Sequence, residues 1–353
     1  MSVPNIPGYS FVEKIREGAT ATSWKAIQTS LRRPVVIKIL ATEGTPDDQS
    51  KVEGILSQMR KVASLKHSAF FELIDIGEHD GMYYVVMGGS DGQALSALLS
   101  DHKCFREKDI LGIATDAAEA LHFAWTTKRL YHGNIKPDNI VVHPDGNVVI
   151  ADMGMARVDV HFDQATGQTH EMIVGTPNYM SPEQVQGRGG LDCRTDIYSL
   201  GATLYQLATG TIPFGDSPGG ETMNRHLIDL LPDPRDINPD ISPALAGIIA
   251  KMMVKSPGKR YQSWDDVVTD LKKAASNPNS LPRMDETALS TVRLTTTKPS
   301  AQRAAQPILI AKAAPPQPLQ VKRKQAQPVK KQSALVANLK TVLWLVIMGV
   351  WVG

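Results

Sequence analysis

Cysteine is almost missing from this chain. Cys104 and Cys193 are the only two in 353 residues, and neither has a partner at disulfide-framework, zinc-ribbon or CxxC spacing. Stapled scaffolds, zinc ribbons and dithiol redox chemistry are therefore disfavoured, and a reducing compartment fits. No repeat of fixed period recurs along the chain. The start, Met1-Ser2-Val3-Pro4-Asn5, has neither a basic nor an apolar leader region, so no signal peptide is expected ahead of the body. Acidic residues are scarce in one region only: residues 1–275 carry 27 basic and 34 acidic side chains, whereas residues 276–353 carry 11 and 2. The balances, −7 and +9, describe an acidic body and a basic tail. Nucleic-acid binding by the body has no broad electrostatic support, and no nucleic-acid partner is expected.

The hydrophobic pattern divides the body. Short runs rich in Val, Ile, Tyr and Trp, at residues 9–16, 22–28, 35–40, 71–77 and 82–87, read as strands separated by turn residues. One helix interrupts them over 49–65, where Val52, Ile55, Leu56, Met59 and Val62 recur at helical steps. Beyond Asp91-Gly92 the period is mostly helical. Ile110, Ile113, Ala114, Ala117 and Leu121 form one stripe, and segments near 195–209, 242–254 and 264–275 read alike. A hairpin is expected where Ile140–Val142 and Val148–Ile150 flank Pro144-Asp145-Gly146-Asn147. A small β-rich lobe thus precedes a larger α-rich one.

Within this frame a lysine sits inside an apolar strand, Val35-Val36-Ile37-Lys38, where an ammonium is costly unless an anion meets it. Further along stand His132-Gly133-Asn134-Ile135-Lys136-Pro137-Asp138-Asn139, then Asp152-Met153-Gly154, then Gly175-Thr176-Pro177-Asn178-Tyr179-Met180-Ser181-Pro182-Glu183, then Asp196 and Arg260. In order and spacing these motifs resemble the bacterial Hanks-type (eukaryotic-like) serine/threonine protein kinases. The resemblance covers about residues 8 to 275. It implies an α+β, two-lobed protein kinase fold, with the N-lobe at 8–88, the C-lobe at 92–275 and a nucleotide cleft between them near Met87.

The resemblance also implies roles. Lys38 matches the lysine on the α- and β-phosphates, and Lys136 the catalytic-loop lysine that approaches the γ-phosphate. Asp152 and Asn139 match the two metal ligands, hard oxygen donors suited to Mg²⁺. Thr176 matches the threonine typical of Ser/Thr kinases, Met87 the linker position and Gly18 a surviving glycine of the phosphate-covering loop. Glu183 with Arg260, and Asp196, match structural elements that support the fold. ATP and Mg are the expected ligands, and a protein substrate or signalling partner is implied.

Four departures bear on activity. Asn134 stands where the family has the aspartate that accepts the substrate proton, and an amide has no basic site. Gly133 replaces the adjacent arginine. Arg16 and Ala21 replace two glycines of the phosphate-covering loop; Arg16 reads as a solvated strand-end arginine in preference to a phosphate contact. Gln58 falls where a glutamate would pair with Lys38, able to hydrogen-bond but not to neutralise it.

The tail is of another kind. Residues 276–340 hold eight prolines and no aromatic residue, a composition that cannot bury enough surface to order itself, and 276–339 read as a disordered linker. Residues 341–353 carry no charge. With the stretch from Leu335 they reach about 28 Å as a helix, close to the hydrocarbon thickness. Segment 340–353 is therefore expected to be a membrane anchor, spanning or interfacial, with the basic residues Lys322 to Lys340 placing the body on the cytoplasmic side of a bacterial membrane. Three functional readings follow: a membrane-tethered pseudokinase or strongly impaired kinase that binds Mg-ATP and acts as scaffold or regulator, an active Ser/Thr kinase, and a nucleotide-free interaction module.

Overall fold

Strand formation follows the alternation of side chains. In β3 (Arg33–Leu40), Val35 and Ile37 turn to one face and pack with Ile6, Ala26 and Val86, while Leu40 joins the opposite face with Val85 and Met87. Lys38, two residues from Leu40, shares that second face because the strand period is 2. In the computed structural model β1 (Tyr9–Glu17), β2 (Ala21–Gln28), β3, β4 (Leu73–His79) and β5 (Met82–Gly88) form an antiparallel sheet of order β1-β2-β3-β5-β4. The structure describes residues 3–18, 21–41, 46–89, 91–101, 103–155, 157–163, 168–174, 176–215, 219–284 and 307–308.

Helix α1 (Pro46–Ala63) buries Val52, Ile55, Met59 and Val62, the stripe that periodicity anticipated, against the Lys38 face of the sheet. Burying such side chains contributes about 1.5–3 kcal/mol each. Val62 also fixes the next element: a Cβ on Gly154 would lie 2.7 Å from Val62 Cγ2, and Gly154 has φ of +78°. Only glycine fits there on both counts.

The second lobe begins with β6 (Gln93–Ala94), α2 (Leu95–Asp101) and β7 (Cys104–Phe105). Helix α3 (Glu107–Lys128) buries the whole of its predicted stripe. The hairpin β8 (Ile140–Val142) and β9 (Val148–Ile150) forms as its turn residues predict, with β6 beside it. Strands β10 (Arg157–Asp163) and β11 (Gln168–Val174) pair antiparallel. Short α4 (Pro182–Val185) precedes α5 (Cys193–Thr209), whose residues are buried on nearly every side. Helices α6 (Gly219–Ile228), α7 (Pro234–Ile237), α8 (Pro243–Met252) and α9 (Trp264–Ser276) complete the lobe.

The compositional boundary at 276 falls inside packed chain. Ala244 N–H donates to the Pro278 carbonyl at 3.0 Å, and Leu281 and Pro282 lie against Gly247 of α8. Residues 277–284 therefore extend the folded lobe, because two prolines here fix a path over an apolar helix. Farther on, Pro307–Ile308 (β12) runs parallel to β7. Most of the expected linker and the whole anchor segment, 340–353, lie outside the described residues. Among the described residues no helix is long and apolar enough to cross a membrane.

Candidate active site

The loop between α3 and β8 is held from below by a single carboxylate. Asp196, on the buried helix α5, accepts the N–H groups of His132 at 2.6 Å and Gly133 at 2.7 Å. Burial raises its carboxyl to about 7 against these two donors, which favour the charged form. Gln184 donates to the Gly133 carbonyl at 2.8 Å, and Gly133 has φ of +74°, which glycine adopts without strain. His132 is buried and its pKa is lowered, burial being the main cause. A neutral ring fits its bonds: Nδ1 accepts from Asn134 N–H at 3.2 Å while Nε2 donates to the Ala151 carbonyl at 2.7 Å. The loop is closed by Asn139, whose Nδ2 donates to the Asn134 carbonyl at 2.9 Å. No hydrogen bond to the Asn134 side chain occurs among the described residues.

Above this loop, residues of both lobes line a cavity of 350 Å³. Val36, Phe71, Met87 and Val141 supply apolar walls, while Arg16, Lys38, Asp138, Asn139 and Asp152 supply the polar end. An apolar pocket with a few convergent charges is the usual form of a small-ligand site. Lys38 Nζ forms an ion pair with Asp152, which answers the cost of an ammonium inside a strand. Burial pushes the Asp152 carboxyl up, but Lys38, His132 and Arg16 outweigh it and hold the group below the usual carboxylate range. Asp152 also stands at φ of +64°, a left-handed conformation that Asp tolerates better than most residues.

Two further cations complete the polar end. Lys136 donates to Thr176 Oγ1 at 2.7 Å and lies 3.6 Å from Asp138, with its pKa lowered chiefly by burial. Arg16 reaches down from β1 to Asp138 at 2.9 Å and to Asp152 at 3.8 Å.

A protein kinase domain model matches residues 9–271. The chain belongs to the protein kinase family. Among its curated relatives, the serine/threonine-protein kinase PrkC of Bacillus subtilis is 31% identical over 268 residues, covering 75% of this chain and 40% of that protein. The serine/threonine-protein kinase PknB of Mycolicibacterium smegmatis is 30% identical over 268 residues, covering 74% and 42%. These matches make it a Hanks-type bacterial serine/threonine kinase homologue. The crystal structure of the Mycobacterium tuberculosis PknI kinase domain shares its fold, with a TM-score of 0.60 and 22% identity, over 76% of this chain and 97% of that one. The chain spans about 40% of the length of the first curated relatives it matches.

Within this kinase domain, Lys38, Met87, Asn139 and Asp152 meet at one cavity; Lys136, Thr176 and Asn134 do not line it but join its lining, Lys136 with Thr176 through Asp138 and Asn134 through Asn139. Glu183 and Arg260 form the expected buried pair, with Nη1–Oε1 at 2.8 Å and Nη2–Oε2 at 3.1 Å. Gln58 departs from expectation: Lys38 is taken by Asp152, and no Gln58–Lys38 hydrogen bond occurs among the described residues. The Gln58 carbonyl instead lies 3.6 Å from where a Gly154 Cβ would stand. Gly18 closes the β1–β2 connection, its N–H donating to the Ala21 carbonyl at 3.1 Å, and does not line the cavity. Arg16 departs from the sequence reading in part: it is a strand-end arginine, 37% exposed, but its guanidinium lines the cleft and pairs with Asp138 and Asp152. Asp138 stands within the catalytic-loop motif, but the sequence reading gives it no role; the fold pairs it with Arg16 and brings Lys136 within 3.6 Å.

The donors present fit a magnesium ion. Asp152 and Asn139 face the same cavity, and with Asn139 Nδ2 engaged by the Asn134 carbonyl, its Oδ1 is the atom left to serve as a ligand. Such an ion would supply charge neutralisation for a phosphate chain.

Proposed function

We propose that this kinase domain binds Mg-ATP and transfers the γ-phosphate poorly, acting in signalling as a regulator or scaffold tethered to a bacterial membrane by its C-terminal segment. One observation carries the proposal: the cation–carboxylate machinery of the cleft is assembled around Lys38 and Asp152, while position 134 presents an amide on an otherwise intact loop.

In this reading the apolar walls at Val36, Phe71 and Met87 hold the flat base. Lys38 is placed to meet the α- and β-phosphates, and Asp152 and Asn139 are the residues that would hold the metal. Lys136, oriented by Thr176, faces the γ-phosphate. The substrate hydroxyl meets Asn134, which can donate or accept a hydrogen bond but cannot remove a proton. The membrane tether rests on the uncharged terminal run and the basic residues before it. The intact Lys136–Thr176 contact supports the second reading, an active Ser/Thr kinase that relies on positioning and charge alone.

The deciding experiment measures ATP binding and labelled γ-phosphate transfer on the same preparation of the full chain. Saturable Mg-ATP binding with transfer far below that of Asn134→Asp is the expected result. Equal transfer by the two proteins overturns the impaired-kinase reading in favour of the active one.

A further inference from the structure

Strand β1 should send successive side chains to opposite faces, yet Ile15 and Arg16 both line the nucleotide cavity. The reason is an irregularity in its pairing with β2. Lys14 pairs with Trp24 and Arg16 with Ser23, so Ile15 is an extra residue on the β1 side. Such a bulge re-aims the side chains that follow it. Here it turns Arg16 inward over the polar end of the cleft.

Three cations, Arg16, Lys38 and Lys136, converge there on two carboxylates, Asp138 and Asp152. Lys38 already serves Asp152, so Arg16 is not required to neutralise it. The Arg16–Asp138 pair is itself about one-third exposed on both sides, 37% and 33%, and pairs of that kind contribute about 0–1 kcal/mol. An arriving phosphate can therefore take the guanidinium from Asp138 at small cost. The planar fork of arginine matches two phosphate oxygens at once, and such charge-assisted bonds are about twice as strong as neutral ones.

The geometry points to Arg16 as a phosphate-binding residue of the nucleotide site, parked on Asp138 when no phosphate is present. The inference rests on the cleft being a nucleotide site. It adds that nucleotide binding is only partly dependent on metal, because Arg16 supplies from the roof part of the positive charge that an ion would otherwise provide.

The test measures dissociation constants of ATP and of adenosine for the full chain, in EDTA and in excess Mg²⁺, with Arg16→Gln and Arg16→Lys beside the natural protein. The expected result is measurable ATP binding in EDTA that weakens about tenfold or more in Arg16→Gln. In Mg²⁺ the loss is smaller, Arg16→Lys recovers part of the affinity, and adenosine binds all three proteins equally. Equal ATP affinity of Arg16→Gln and the natural protein in EDTA overturns the inference. So does an equal loss for adenosine, which marks a structural role, or tighter ATP binding by Arg16→Gln, which marks Arg16 as a competitor. Failure of the natural protein to bind ATP under either condition overturns the nucleotide-site reading together with it; Mg-ATP binding indifferent to Arg16 overturns the inference alone.

Discussion

Replacing Asn134 by Asp exchanges an amide for a carboxylate of the same shape at the position that the family resemblance gives to the base. The loop itself is held by Asp196, Gln184, His132 and Asn139 through backbone groups, and no hydrogen bond to the Asn134 side chain occurs among the described residues. The substitution therefore leaves the loop in place, with stability changed by no more than about 0.5 kcal/mol. General-base assistance is worth about 10²–10⁴-fold. Phosphoryl transfer passes through a loose transition state in which the hydroxyl proton leaves late, so the lower end applies. A gain of about 10²-fold corresponds to about 2.7 kcal/mol of barrier. The assay follows labelled γ-phosphate from Mg-ATP onto a Ser/Thr-rich peptide and onto the chain itself, with Asn134→Asp/Lys38→Met as the control that returns the rate to background. A gain below about threefold, with folding and ATP affinity intact, would refute the argument that the missing base limits the reaction.

Two predictions concern stability. Burial works against the Glu183 carboxylate, but its bonds to Arg260 and Thr195 more than compensate and hold its pKa below the ordinary value. Its contribution is therefore present at neutral pH and lost as pH falls through that lowered pKa. Removing the partner in Arg260→Met strands a buried charge; thermal unfolding should show a loss of about 3–5 kcal/mol, near 10 °C, and the double variant with Glu183→Gln a smaller one. Lys255, 4.2 Å above the Phe214 ring, has its pKa lowered to about 7, mainly by burial. The unfolded chain, with an ordinary lysine, binds the extra proton between pH 7 and about 10, so this group lends increasing stability as pH rises through that range. Denaturant titrations at pH 7 and 9 should show Lys255→Met more stable than the natural protein at pH 7, with the gap narrowing at pH 9; a gap independent of pH contradicts the assignment.

Much of this architecture can be read from side-chain periodicity. The stripe Val52, Ile55, Met59 and Val62 and the turn Asp145-Gly146-Asn147 each have one local solution, and the structure adopts it. Glu183–Arg260 and Asp196 follow from family resemblance, and their bonds are as implied. Arg16 is different in kind. Its direction depends on an extra residue in the pairing of β1 with β2, and where a bulge falls is decided by the two strands together, not by the alternation of either one. The partner of Lys38 was hidden for a related reason: Asp152 lies 114 residues away along the chain and meets the ammonium only in the fold. Residues 277–284 show the limit of composition, because Pro278 and Pro282 serve equally in a free linker and in a strap over α8.

The most direct measurement is a calorimetric titration of the full chain with ATP, with and without Mg²⁺, beside Asp152→Asn. The account predicts saturable binding that Mg²⁺ strengthens in the natural protein, and loss of that strengthening in Asp152→Asn while ATP still binds. Absence of ATP binding in the natural protein, or an equal response to Mg²⁺ in both proteins, would contradict it.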